Sequence, residues 1–464
     1  MVPCSFRIFL RLVFMRLNIK TVVLAIAFLT GSTPAFAQDV REAVVRALER
    51  NPAIAGAYDR QEAAEHNKDA EASNYYPEIS TALTAGRVYQ DNSTSRGLSV
   101  ERGAAYSGYG EANIALRQMI FDGLETQNRV GAADARLESK GYDLMEVEEE
   151  ITFDIVRNYI EIMRLRSALD LLSVQLRSID DYKARIINMV KEGVADEAEL
   201  QQARDVSMVV NSIIADYEGR LASARAAYYE ATGEAPPAQL VMPASVTSQI
   251  NDNIVDAVAA AKLRNPMLMS VRMASNATRH DMKAEQGKMY PDVTGELSYY
   301  KNDKKDIIGG ENKDARAVVK MNWAFSTGGR EFSEFRKKQS EHDAALRKAE
   351  EAERQVERAI YESYAKYRTF QRKLQLSKDR VDLNEKLVSA YESQFEGSRI
   401  SLLSLMRAQS QLFKAKLDRS DNRFNLLASE YGVLASLSML KNAILSMPED
   451  VRTRPVTEGE DNRQ

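Results

Sequence analysis

The sequence predicts a mainly α-helical fold with a small β part of the membrane kind, built from one module used twice. Three observations predict it. Over residues 329–440 an apolar residue recurs at every seventh position, Ile360, Tyr367, Leu374, Val381, Val388 and Phe395, with Val356, Ala359, Phe370 and Tyr391 on the flanking rows. A stripe of that period keeps facing a partner helix. Asp39-Val40-Arg41-Glu42-Ala43-Val44, followed by Asn51-Pro52, returns as Asn253-Ile254-Val255-Asp256-Ala257-Val258, followed by Asn265-Pro266. Such self-similarity marks a repeated structural unit. Each copy also holds two runs of period-2 apolar–polar alternation, the mark of strands with two unlike faces.

Residues 1–37 read as an export signal. Arg16 and Lys20 form a charged start after Met15, residues 21–29 an apolar core, and Ala35-Phe36-Ala37 a cleavage site. These residues hold four basic and no acidic groups, which leaves 59 basic against 67 acidic and a net charge of −8. That balance argues against nucleic acid as a partner. Cys4, the only cysteine, lies in the signal, so neither a disulfide nor a thiolate is expected in the mature chain. No other apolar run is long enough for a spanning helix, so a membrane would have to be crossed by strands.

The first repeat spans 38–233. Residues 40–73 read as one helical stretch that ends ahead of Pro77, since the residue before proline leaves the α region. The hairpin 77–121 follows, with Ile79, Thr81, Leu83, Ala85 and Tyr89 on one face and Ala112, Ile114 and Leu116 on the return strand. The arm 123–232 carries Ile151, Ile155, Ile162, Leu169, Leu172 and Leu176, and turns at Glu192-Gly193-Val194-Ala195-Asp196. Residues 234–252, rich in proline, link the copies. The second repeat, 253–446, has a helical stretch 254–288, the hairpin 291–325 and the arm 329–440 with its turn at Glu396-Gly397-Ser398-Arg399. Residues 447–464 read as a polar, disordered tail.

A hairpin lying on a soluble core shows the same alternation. The export signal, and long helices that leave both hairpins uncovered, favour the membrane. Four strands cannot close a barrel, and an open edge in hydrocarbon leaves backbone groups unpaired. Two copies would give eight strands with a filled interior; three give twelve and room for water. The expectation is a homotrimer: a twelve-stranded β-barrel continuous with an α-helical barrel. An arm of some 65–70 helical residues would reach roughly 100 Å.

Asn51-Pro52, Phe121-Asp122-Gly123 and Thr327-Gly328-Gly329, in this order and in duplicate, resemble the TolC family of outer-membrane channels over nearly all of the mature chain. Gln394-Phe395 with Ser401-Leu402-Leu403, and Ala231-Thr232-Gly233-Glu234-Ala235-Pro236, are most similar to its type I secretion branch, which exports adhesins. The resemblance implies a trimer in the outer membrane of a Gram-negative cell with a periplasmic tunnel. It implies as partners a periplasmic adaptor and an inner-membrane transporter driven by ATP or protons, and no enzymatic activity. Small-molecule efflux, of drugs or metal ions, is the alternative cargo. A periplasmic coiled-coil scaffold or adhesin without a pore is a third reading.

The resemblance also places a gate at the inner tip. Gly193, Asp196 and Glu199 form the first turn, and Gly397, Arg399, Ser404 and Arg407 the second, with Ser404 and Arg407 standing where the family carries acids. Glu199 and Arg399 are expected to pair across the closed tip; solvated surface charges are the plainer reading, and exposed pairs contribute little. Tyr89 and Trp323, near strand ends, are candidates for an aromatic belt at the membrane interface. His66, His280 and His342 have no ligand spacing, and no cofactor motif is present, so neither a metal nor a cofactor is expected.

Overall fold

The computed structural model describes residues 39–90, 105–194, 196–304, 311–324, 326–396 and 400–447. The expected signal, the two hairpin tips, Gly397 and Arg399 at the second turn, and residues 448–464 of the tail lie outside the described residues.

Where one helical stretch was expected in each repeat, there are two. Helix α1 (Val40–Arg50) buries Val40, Ala43, Val44 and Ala47, one face at helical spacing. It stops at Asn51, which caps α2 (Pro52–Ala72) by accepting a bond from the Ala53 amide at 2.8 Å. A capping asparagine with proline at the first helical position breaks one helix and starts the next. The Asn51 amide also donates to the Ala231 carbonyl at 2.8 Å. The second repeat has the same device: between α5 (Ile254–Lys262) and α6 (Pro266–Gly287), Asn265 accepts from the Leu268 amide and donates to Ser438 Oγ at 3.0 Å.

Strands β1 (Glu78–Gln90), β2 (Ala105–Phe121), β3 (Asp292–Lys304) and β4 (Glu311–Asn322) form one antiparallel sheet in the order β1-β2-β3-β4. The two hairpins are joined by β2–β3 pairing. Following the register gives two unlike faces. One carries Ile79, Leu83, Ile114, Leu116, Leu297, Tyr299, Val319 and Met321; the other carries Glu78, Arg117, Glu296, Arg316 and Lys320. The apolar residues stay exposed within the chain, Leu83 at 83% and Val319 at 70%, as a lipid-facing surface requires.

The arms are α3 (Glu125–Lys191) returning as α4 (Glu197–Thr232), and α7 (Arg330–Glu396) returning as α8 (Leu402–Ser436), followed by the short α9 (Leu440–Leu445). Helices α3 and α7 are each 67 residues long, about 100 Å at the α-helical rise. On α7 the seven-residue seam is buried at Ile360, Tyr367, Val381 and Val388. Nearer the sheet the helices pack side by side as α2–α3–α6–α7; nearer the turns they pack as α4–α3–α8–α7.

At mid-height the helices converge on a core that includes Val44, Ile155, Tyr159, Ile162, Tyr228, Leu268, Ile360, Tyr431 and Ile444. Burying each large aliphatic side chain contributes about 1.5–3 kcal/mol. Residues 234–252 cross this level as a strap. The Tyr159 hydroxyl both accepts from the Val241 amide and donates to its carbonyl, at 2.8 Å. Arg166 donates to the carbonyls of Pro237 and Ala238, Tyr431 to Ala244, and Tyr364 to Asn251. Glu430, 4% exposed, accepts from Ser245 Oγ and the Val246 amide. Burial drives the hydroxyl pKa of Tyr159 and of Tyr431 upward, so both stay protonated donors.

Candidate functional site at the turns of the arms

The first turn follows from handedness. Gly193 sits at φ +76°, a conformation that costs any side chain but glycine's. Its amide donates to Val190 O at 3.1 Å and that of Val194 to Met189 O at 2.8 Å, which closes the helix end with a Schellman pair. Asp196 starts α4 without a side-chain cap bond; its carbonyl accepts from the Glu199 amide at 3.0 Å. In the second turn Ser401 caps α8, accepting from the Ser404 amide at 3.3 Å, while the two hydroxyls meet at 3.1 Å.

The two turns of one chain are joined by apolar packing. Ile186, Leu200 and Ala203 from the first arm bury against Leu402, Leu403, Leu405 and Met406 from the second, with Tyr182, Val190, Tyr391 and Phe395 around them. Across this join Arg407 donates to Gln202 Oε1 at 3.0 Å. Gln409 donates to Glu392 at 3.1 Å within the second arm.

Of the expected gate residues, the structure brings Arg407 to the join, bonds Ser404 to Ser401 within its own turn, and leaves Asp196 exposed. Glu199 is half-buried and has no ion-pair partner among the described residues; Arg399 lies outside them, so the expected Glu199–Arg399 pair is not placed. Gln202 was missed from sequence. It lies one helical turn beyond Glu199 on the same face, and a neutral amide gives no charge signal to find.

A second polar cluster, also missed, ties the arms further up. Arg164 grips Glu161 with two bonds of 2.6 and 2.8 Å and reaches Asp421 of α8 at 2.7 Å. Tyr217 of α4 meets the other Asp421 oxygen at 3.4 Å. The bonds from Glu161, against the cost of burial, raise the Arg164 pKa further, so this cation is permanent. Arg164 and Asp421 are 257 residues apart, and no local pattern announces them.

Tyr89 lies on the apolar face near the outer end of β1, and Trp323 just past the opposite end of β4. Tyr89 stacks at a tilt on Tyr106, 5.1 Å between centroids, and Trp323 Nε1 donates to Met289 O at 3.2 Å. Among the described residues no helix is long and apolar enough to cross a membrane, and no group of three or more His, Asp or Glu is placed to hold a metal.

Known proteins give the geometry its context. The sequence profile of the outer membrane efflux protein family matches residues 43–234 and 257–437, one match per repeat. The chain is 22% identical over 420 residues to the outer membrane efflux protein BepC of Brucella suis biovar 1, covering 89% of this chain and 88% of that protein. Its fold is similar to the outer membrane protein VceC of Vibrio cholerae, with TM-score 0.75, 14% identity, and 86% and 96% of the two chains covered. It is likewise similar to the Campylobacter jejuni CmeC outer membrane channel, with TM-score 0.77, 12% identity and 86% of each chain covered. Members of the matched family are trimeric outer-membrane channels that work with adaptors and inner-membrane transporters. With both repeats accounted for by the profile, the chain belongs to the outer membrane efflux protein family, located in the outer membrane and extending into the periplasm.

Proposed function

We propose that three copies of this chain close into a tunnel that carries type I protein secretion, its inner end meeting a periplasmic adaptor and an inner-membrane transporter. One observation supports the trimer: the sheet and the helix layer nearest the turns each end in two edges unpartnered within the chain. In the sheet, β1 and β4 each have one strand neighbour within the chain. In the arms, α4 at one edge exposes Met208 and Val209, and α7 at the other exposes Leu376, Leu383 and Leu387. Both patches lie in the part of the arms nearest the turns. A head-to-tail contact between α7 of one copy and α4 of the next covers both patches and continues the sheet from β4 to β1. Contacts of this heterologous kind generate a ring when the rotation between copies closes, as the barrel requires.

The cargo reading rests on the second turn, Gln394-Phe395 with Ser401-Leu402-Leu403, and on the end of α4, Ala231-Thr232-Gly233-Glu234-Ala235-Pro236. Small-molecule efflux is the second reading, favoured by the description of BepC as an efflux protein. Deleting the gene separates them. Loss of one or a few large proteins from the culture medium, with unchanged susceptibility to drugs and metal ions, supports secretion; the reverse pattern supports efflux. A mature protein that fractionates as a soluble monomer would end both.

A further inference from the structure

The lipid-facing side of the sheet carries one feature the channel reading does not use. Near its outer end, Lys301 of β3 and Lys313 of β4 stand directly opposite each other, and one rung further out Asp303 opposes Glu311. By register these residues share the face of Leu297, Tyr299, Val319 and Met321, not the polar face of Glu296 and Lys320. Like charges directly opposite on one face destabilise a strand pair. Among the described residues one carboxylate pairs with both lysines: Glu311 lies 3.3 Å from Lys301 and 2.9 Å from Lys313. Both lysine side chains remain about half exposed, at 44% and 55%.

Their height matters. Lys313 lies ten residues before Trp323, about 33 Å along an extended strand, and roughly 25 Å once the strand is tilted as in a membrane barrel. That equals the usual height of the apolar band, so the two ammonium groups stand at its outer boundary. At the same rungs the neighbouring hairpin carries Leu83, Ala112 and Ala85, with no charge. The patch is thus a discrete basic step on an apolar wall, basic towards the acyl chains and acidic towards the exterior.

We propose that Lys301 and Lys313 form a binding site for the phosphate of an outer-leaflet glycolipid, once per copy. The occupant is a lipid because the face looks into the membrane. Its phosphate lies where acyl chains end, the level of the basic row, and two ammonium groups offer it donors that Glu311 alone cannot use up. Leu297, Tyr299 and Ala315, one rung or more inward, supply the surface for its chains. The site rests on the outer-membrane barrel reading above.

Native mass spectrometry of the full-length protein in detergent tests it, with a bisphosphorylated acylated glucosamine disaccharide, its dephosphorylated form, and inorganic phosphate as probes. The phosphorylated lipid is expected to stay bound. The double variant Lys301→Gln/Lys313→Gln should weaken it about tenfold or more, given the usual contribution of a lysine near an anionic lipid surface. Lys320→Gln, on the other face, should leave it unchanged, and millimolar inorganic phosphate should not displace it. Equal retention by the double variant, equal binding of the dephosphorylated lipid, or displacement by inorganic phosphate each overturns the site. Trimer migration and conductance are read on the same samples. An intact conducting trimer that ignores the lipid sinks this site alone, whereas the absence of any trimer sinks the channel reading and the site with it.

Discussion

Gly123 and Gly287 touch backbone to backbone. A β-carbon on Gly123 would fall inside the Gly287 carbonyl, and one on Gly287 would stand 2.9 Å from the Gly123 carbonyl oxygen. Gly123 follows the first hairpin, at φ +67°, and Gly287 ends α6 just before the second. The two repeats are therefore pinned together where sheet becomes helix. Gly123→Ala should cost on the order of 3–5 kcal/mol, from left-handed strain and forced separation together. Gly193→Ala, with equal handedness but open space around it, should cost about 1–2 kcal/mol. Trimer melting followed by gel migration would show the difference; equal losses would mean that the close approach carries no energy.

The proposed edge contact between copies predicts an asymmetric rescue. Leu383→Asp on α7 and Met208→Asp on α4 should each lower the trimer yield strongly, since each buries a carboxylate against aliphatic side chains. Leu383→Lys combined with Met208→Asp should restore part of it. Cross-linking in intact cells reads the outcome, and a double variant no better than either single one would place the two residues apart.

Acid should weaken the junction of α3 with α6. His280 of α6 lies against Gly131 of α3, its Nδ1 3.3 Å from Asn128 Oδ1. Burial lowers its pKa below the ordinary 6.5, reinforced by Arg279 and Lys283 and opposed by Asp281 and Asp134. With the folded value depressed, the stability it contributes is present above pH 6.5 and is lost as pH falls through the folded value. Relative to His280→Gln, the natural protein should lose thermal stability as pH falls below the ordinary histidine value of 6.5. Parallel curves for the two proteins would exclude the histidine as the cause.

At the turns, Arg399→Ser is expected to raise the closed-state current if Arg399 reaches Glu199. Arg407→Ala, which gives up the bond to Gln202, should raise it less, because the contact is exposed and the aliphatic join beneath it remains. Single-channel recording in planar bilayers decides both. A current that neither substitution changes would leave the inner end held by apolar packing alone.

The parts that could be read from sequence are those with short periods. The seam of Ile360, Tyr367, Val381 and Val388 and the alternation through Leu297 and Tyr299 are local, and the structure uses them on the expected faces. Asn51-Pro52 was visible as a repeated motif, yet its effect, a break between two helices, depends on the buried bond to Ala231 in another part of the chain. The strap at 234–252 reads as a linker because its anchors, Tyr159, Tyr364, Glu430 and Tyr431, are scattered over three helices. At the turns, sequence singled out charged residues, while the join itself is made by Leu402, Leu403, Leu405 and Met406.

Within the described residues α3 and α7 each run for 67 residues, and that match has a hereditary consequence. A tube whose staves differ in length has a ragged mouth, so neither gene half can drift in size alone. Removing seven residues from one arm should cripple docking at the far end, and trimming the other arm by the same seven should mend it, leaving a shorter but level tube. The duplication thus acts as a measuring stick that copies itself, keeping the two arms level while the letters along it are at liberty to change.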